Sequence, residues 1–204
     1  MYTNPAEAIW SDSEPWLESA ALLGVGMRLS PSKTDMWAAH FHLLVISRAQ
    51  FATQLAYDRF LTACNGSSLP EIACGYLELH SFLVSAHLFW RTLQKLANDF
   101  VLPDLGQSLQ QHATLVEQTK RARDHIEHMT ERIESGRGQK FGSPMDARTF
   151  RHAMGKYERG SVIFGNETFD LQAIHAAIRT IGQTVAPKLR VAIDSGFTIK
   201  FGPT

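Results

Sequence analysis

Residues 70–100 read PEIACGYLELHSFLVSAHLFWRTLQKLANDF, and the spacing of the apolar side chains in that stretch decides the fold. Tyr76, Leu79, Leu83, Ala86, Trp90, Leu93 and Ala97 recur every three or four residues, the period of one face of an α-helix. Phe82, Phe89 and Leu96 recur by sevens and form a second row well round the circumference. A helix that is apolar on two sides is either central in a bundle or shared with another subunit. The second row, set beside a polar third helix, leads to the expectation of a homodimer.

Upstream, residues 33–63 contain neither Gly nor Pro, and Ser30-Pro31-Ser32 reads as a helix start. One long helix is expected there, with Trp37, Phe41, Leu44, Phe51 and Leu55 as its buried face. Asn65-Gly66-Ser67-Ser68 stops it. Residues 1–31, which include Pro5 and Pro15, are read as an N-terminal arm. Downstream, Pro103 and Gly106 mark a turn, and residues 107–135 are expected to form a third helix, more polar, ending at the Gly of Ser135-Gly136-Arg137-Gly138.

Residues 136–170 read as a basic, Gly-containing connection with one short helix near 147–154 and a β-hairpin. Its strands are Ser161–Phe164 and Glu167–Asp170 around Gly165-Asn166. Asp170 can cap a last helix over 171–195, whose apolar row is Leu171, Ile174, Ile178, Ile181 and Val185, with Pro187 expected to kink or break it. The tail, 196–204, holds a third strand at Phe197–Phe201. The chain is therefore expected to be a single all-α domain: a bundle of about four long helices with a small β-hairpin or three-strand excursion near the C-terminus.

The chain has 204 residues, enough to bury about 70% of the surface exposed on unfolding. With 44% hydrophobic and 20% charged residues it is neither disordered nor of low complexity. Twenty basic residues balance twenty acidic ones, so no overall field attracts nucleic acid or an anionic membrane, and any such contact must be a local patch. Two cysteines, Cys64 and Cys74, make neither a disulfide scaffold nor a zinc knuckle. The acidic N-terminal stretch is unlike a signal peptide, and the longest apolar run is too short to span a bilayer. A cytoplasmic location, with no membrane partner, is the expectation.

Chemistry concentrates in residues 120–134, KRARDHIEHMTERIE. On a helical wheel Ala122, Ile126, Met129 and Ile133 form one narrow docking stripe. Arg121, Asp124, His125, His128 and Arg132 fall on one flank, while Arg123, Glu127, Thr130 and Glu134 fall on the other. Cations and imidazoles sharing a flank suit a phosphate. The alternative is a solvated helix face laced by i,i+4 ion pairs, Lys120 with Asp124 and Arg123 with Glu127. His125, His128 and Glu131 lack the usual spacing of a helical metal site, so no metal and no cofactor is expected.

Arg123, Asp124 and His128 resemble the motif of the HEPN superfamily: an Arg, a polar neighbour, and a His after four to six intervening residues. The order of elements is also similar, with the motif late in a long third helix before a loop and a final helix. The resemblance implies a helical-bundle homodimer that binds RNA or nucleotides and is a metal-independent endoribonuclease of toxin or phage-defence type, with an antitoxin or regulatory protein as partner. It implies Arg123, Asp124 and His128 as the catalytic set. His128 would act as acid or base, Asp124 would fix its tautomer and Arg123 would hold the scissile phosphate. Arg121, His125 and Arg132 would bind substrate. Arg123 and His128 stand about 140° apart on a regular helix, so they would meet across a dimer, or Arg121 would supply the cation instead. The alternative class is a catalytically silent scaffold or regulatory binding module.

Overall fold

The structure, a computed structural model, describes residues 5–29, 34–64, 69–101, 105–128, 156–164, 166–194 and 200–201. Among these lie helices α1 (Pro5–Leu29), α2 (Thr34–Cys64), α3 (Leu69–Asp99), α4 (Leu105–Gln111), α5 (Ala113–Glu127) and α6 (Leu171–Asp194). The strands are β1 (Phe100–Val101), β2 (Lys156–Glu158), β3 (Ser161–Phe164), β4 (Glu167–Asp170) and β5 (Lys200–Phe201). The expected signals at Ser30–Ser32, Asn65–Ser68 and Pro103, the 135–138 cap and the short helix near 147–154 lie outside the described residues.

α3 is central: it packs on α2 along one side and on α5 along another, while α1 packs on α2 and α6. Both apolar rows read from its sequence are used inside the single chain. Phe82, Phe89 and Leu96 are fully buried, as are Leu83, Ala86 and Leu93. This corrects the expectation that the second row needs a second subunit, because α2 and α5 together already cover a helix that is apolar on two sides.

Residues 5–29 are helical, not an arm. Pro5 sits at the first helical position, where a missing N–H costs nothing. Pro15 lies inside, at a cost of about 3 kcal/mol in an isolated helix. Tertiary burial outweighs it: Trp16, Ala20 and Leu23 are buried in the core. Polar groups reinforce the same face. The Trp16 Nε1–H donates to Gln50 Oε1 at 2.7 Å, and the Ser47 hydroxyl donates to the Ser13 carbonyl at 3.1 Å.

The buried face of α2 also differs from the expected one. Trp37 and Phe41 are 46% and 56% exposed, and Leu44, Phe51 and Leu55 are only half-buried. The core instead receives Ala39, Leu43, Ile46, Ala49 and Phe60, interleaved with the buried polar side chains Ser47, Gln50, Thr53 and Gln54. A scan for large apolar residues misses this face, because small and polar groups alternate with Leu43, Ile46 and Phe60 on it, and Ser47, Gln50, Thr53 and Gln54 Nε2 each find a hydrogen-bond acceptor within the protein.

The long third helix is broken in two. His112, with φ −108° and ψ 14°, interrupts it; its N–H is shared between the Ser108 and Leu109 carbonyls, and its ring lies 6.1 Å from that of Trp90. α5 ends at Glu127, short of the expected Ser135, with His128 as its C-cap. α6 carries the expected row, with Leu171, Ile174, Ile178, Ile181 and Val185 all buried, and Asp170 Oδ1 caps it by accepting from the Ala173 N–H at 2.8 Å. Pro187 does not break it, since the helix runs on to Asp194.

The β excursion is a three-stranded antiparallel sheet, β2-β3-β4. The expected β3–β4 hairpin pairs Phe164 with Glu167 and Ser161 with Asp170. Its third strand is β2, which pairs Tyr157 with Val162 through a two-residue turn at Arg159 (φ 50°) and Gly160 (φ 86°), the left-handed pair that suits a tight hairpin. β5 pairs with β1 instead, Phe100 opposite Phe201.

At Gly182, α6 passes close over the Gln50 side chain of α2. A Cβ there would stand 2.0 Å from Gln50 Nε2, and Gln50 is held at both ends, by Trp16 and by the Asp12 carbonyl. Gly182→Ala should therefore destabilise the protein by about 2–4 kcal/mol in denaturant unfolding, although helix propensity alone would favour Ala by about 1 kcal/mol. A gain in stability would show that Gln50 moves aside freely.

The half-buried His175 ring stacks on Tyr57, centroids 4.2 Å apart. Burial holds its pKa below the ordinary imidazole value, with Asp58 pulling the other way. The unfolded chain therefore takes up the proton first, so stability is full above about pH 6.5 and declines as the pH falls through that value. His175→Phe, which keeps the stack, should flatten this decline in melting temperature; an unchanged profile would place the acid sensitivity elsewhere.

Candidate functional site

α5 docks through Thr119 and Ala122, both fully buried, with Ile126 packed against the core. This is the expected stripe, as far as Glu127. The two flanks on either side of it meet different neighbours.

On one flank α5 faces β4. Residues 167 and 169 point to one side of that strand, as alternate residues must. The Glu167 carboxylate takes an ion pair from Arg121 at 2.5 Å and lies 3.3 Å from His125 Nε2. Phe169 is buried beneath them, with the Arg121 guanidinium 5.9 Å from its ring centre. The His125 ring lies nearly parallel to Phe164, centroids 5.7 Å apart, and 5.6 Å from Phe169. An open cleft of about 530 Å³ adjoins this group, lined by Thr114, Glu117, Gln118, Arg121, Thr168 and Phe169 among others. Gln118 ties the two walls together, its Oε1 accepting from the Asp170 N–H at 3.3 Å.

On the other flank Arg123 is held by carboxylates of its own helix. Its Nε and Nη2 donate to Asp124 Oδ1, and Nε lies 3.2 Å from Glu127 Oε2. One cation against two anions leaves this group net negative, which repels a phosphate. His87 of α3 lies within their field: burial lowers its pKa first and Arg123 lowers it further, while Asp124 raises it.

The expected site residues are thus divided. Arg121 and His125 converge on Glu167. Arg123 and Asp124 bind each other, and the expected Arg123–Glu127 pair forms. His128 is exposed at the C-cap, its N–H donating to the Asp124 carbonyl at 3.1 Å. Arg132 lies outside the described residues. Among the described residues no cluster of His, Cys, Asp and Glu could hold a metal ion. Glu167, Phe164, Phe169 and His87 were not singled out from the sequence. The alternation of Glu167 and Phe169 gives them a shared face, yet nothing local says that this face meets α5.

Glu167 titrates lower than an ordinary glutamate, chiefly because Arg121 hydrogen-bonds its charged form, with His125 adding to the effect. The pairing is present above the ordinary carboxylate pKa and is lost as the pH falls through the depressed one. In Arg121→Ala, the Glu167 carboxyl resonance should titrate at higher pH by NMR. An unmoved titration would mean that the contact does not persist in solution.

No family model matches the chain, and none of the curated proteins and solved structures compared with it matches either.

Proposed function

We propose that the protein is a HEPN-like, homodimeric RNA- or nucleotide-binding module whose ligand surface is the α5 flank that meets β4. The observation that carries this reading is the convergence of Arg121 and His125 on Glu167 beside a cleft bordered by the Phe169 ring. Arginine suits a phosphate, and Thr114, Gln118 and Thr168 offer hydrogen bonds to base edges or sugar. A phosphate must displace Glu167 from Arg121 and accept Glu117 on the same cleft wall, so binding is moderate and weakens with salt.

Cleavage, where it occurs, is metal-independent, with an imidazole moving the proton of a ribose hydroxyl. Arg123, Asp124 and His128 are the set that the family resemblance assigns to it, in a protein of toxin or phage-defence type regulated by an antitoxin. The pairing of Arg123 with Asp124 and Glu127 favours the second reading, a catalytically silent binding or regulatory module, since that guanidinium is already neutralised.

Labelled single-stranded and structured RNA in excess EDTA separates the readings. Arg121→Ala should weaken binding by about 1–2 kcal/mol and lower the salt slope by about 1, with Arg123→Ala close to wild type. RNA cleavage that disappears in His128→Ala establishes the ribonuclease; binding without cleavage establishes the silent module. If neither RNA nor nucleotides bind, the proposal fails.

A further inference from the structure

The cleft between α5 and β4 holds two polar groups that the closed bundle does not use. The first is the Glu117 carboxylate, exposed on α5 one turn before Arg121, with no hydrogen bond or ion pair among the described residues. The second is the backbone of Thr168. The Asp170 N–H donates to Gln118 of α5, so Asp170 turns its backbone polar groups away from β3. Bonding direction alternates along an antiparallel strand. Thr168, two residues earlier, therefore turns its own N–H and C=O to the same open edge, where it lines the cleft.

We propose that Glu117 and Thr168 make this cleft selective for guanine, with the phosphate of the same nucleotide on Arg121. The inference rests on the nucleotide-binding reading above and adds to it the identity of the base. A volume of about 530 Å³ suits a ligand of nucleotide size. An added peptide strand needs a longer row of free backbone groups than Thr168 alone offers, since the next N–H on that edge, of Asp170, is taken by Gln118. A carboxylate is acceptor-only, with two oxygens side by side. Guanine alone among the four RNA bases sets two adjacent N–H donors on its Watson–Crick edge, N1–H and the 2-amino group, to meet them. Its O6, next to N1–H, accepts from the Thr168 N–H. Adenine and cytosine place a ring-nitrogen acceptor beside their amino group, and uracil places a carbonyl on either side of its one N–H. Each of those three turns a lone pair toward Glu117. Glu117 and Arg121 stand about 6 Å apart along the helix axis, and long side chains at both positions let one nucleotide engage the two at once.

Calorimetric titration of the full chain with GMP, AMP, CMP and UMP in excess EDTA reads the selectivity. GMP should bind about tenfold tighter than the other three, the worth of one added hydrogen bond to a charged group. Inosine monophosphate, which lacks the 2-amino group, should fall between. Glu117→Gln offers one acceptor and one donor in place of two acceptors. GMP should then drop to the level of AMP, with AMP binding unchanged or tighter and the thermal melt the same, because Glu117 is exposed. An A-rich single-stranded oligonucleotide carrying one G, set beside GMP, tells the source of the guanine. Tighter binding of the oligonucleotide identifies RNA, and tighter binding of GMP identifies the free nucleotide.

A Glu117 that only repels phosphate gives the opposite sign, with Glu117→Gln tightening GMP and AMP alike. That result, or wild-type protein that binds all four mononucleotides equally or prefers another base, overturns the guanine selectivity and leaves the nucleotide reading in place. If neither the mononucleotides nor the oligonucleotide binds, both fall.

Discussion

Asp12 is a carboxylate buried to 8% exposure, and the way it is satisfied fixes how the bundle closes. Its Oδ2 accepts from Arg179 Nε at 2.8 Å and from Gln54 Nε2 at 3.3 Å, and its Oδ1 accepts from Gln183 Nε2 at 2.8 Å. Those donors come from α2 and α6, so one charge on α1 holds three helices in register. Left unpaired, a charge at that depth would cost several kcal/mol, and this penalty excludes other packings of α1. The contact also explains how α1 tolerates Pro15. The lost helix hydrogen bond is local, while the gain from seating Asp12, Trp16 and Ala20 is collective.

The candidate site depends on the same lock at one remove. α6 starts where β4 ends, with Asp170 both closing the strand and capping the helix. Setting α6 against α1 and α2 therefore sets the position of β4, and with it Glu167 and Phe169, against α5. The three-stranded sheet is tied to the start of α6 once more by the Gln172 N–H donating to the Gly160 carbonyl at 3.0 Å. A surface ion pair such as Arg121–Glu167 contributes little to stability by itself. It is found here because rigid elements bring its two halves together, and elements rigid in this way are what a binding site requires.

Much of this arrangement is legible in the sequence where apolar period and turn chemistry agree. The double row of α3, the single row of α6, the Asp170 cap and the β3–β4 hairpin are all of that kind. The reading fails where polar groups do the packing. α1 looks like an arm because Pro15 interrupts it and its buried face includes Asp12, Ser13 and Ser19. α2 misleads because its largest rings, Trp37 and Phe41, lie outside while Gln50 and Gln54 lie inside. His112 breaks the third helix without a Gly or Pro to announce it. Arg121 and His125 could be placed on one flank from the sequence, but Glu167 belongs to a strand some forty residues away, and only the closed bundle shows that they meet.

The electrostatics of α5 follow from which neighbour each flank was given. Arg121 and Arg123 are two residues apart on one helix and identical in chemistry, yet they differ in what a ligand would find. Arg123 is bound by two carboxylates of its own helix, which stay within reach however the bundle moves. Arg121 is bound by one carboxylate on another element, and a phosphate that offers two oxygens to a guanidinium can compete with a single exposed carboxylate. The exchangeable cation is therefore Arg121. The Arg123 flank offers an anion no such exchange, because both carboxylates that hold its guanidinium belong to the same helix.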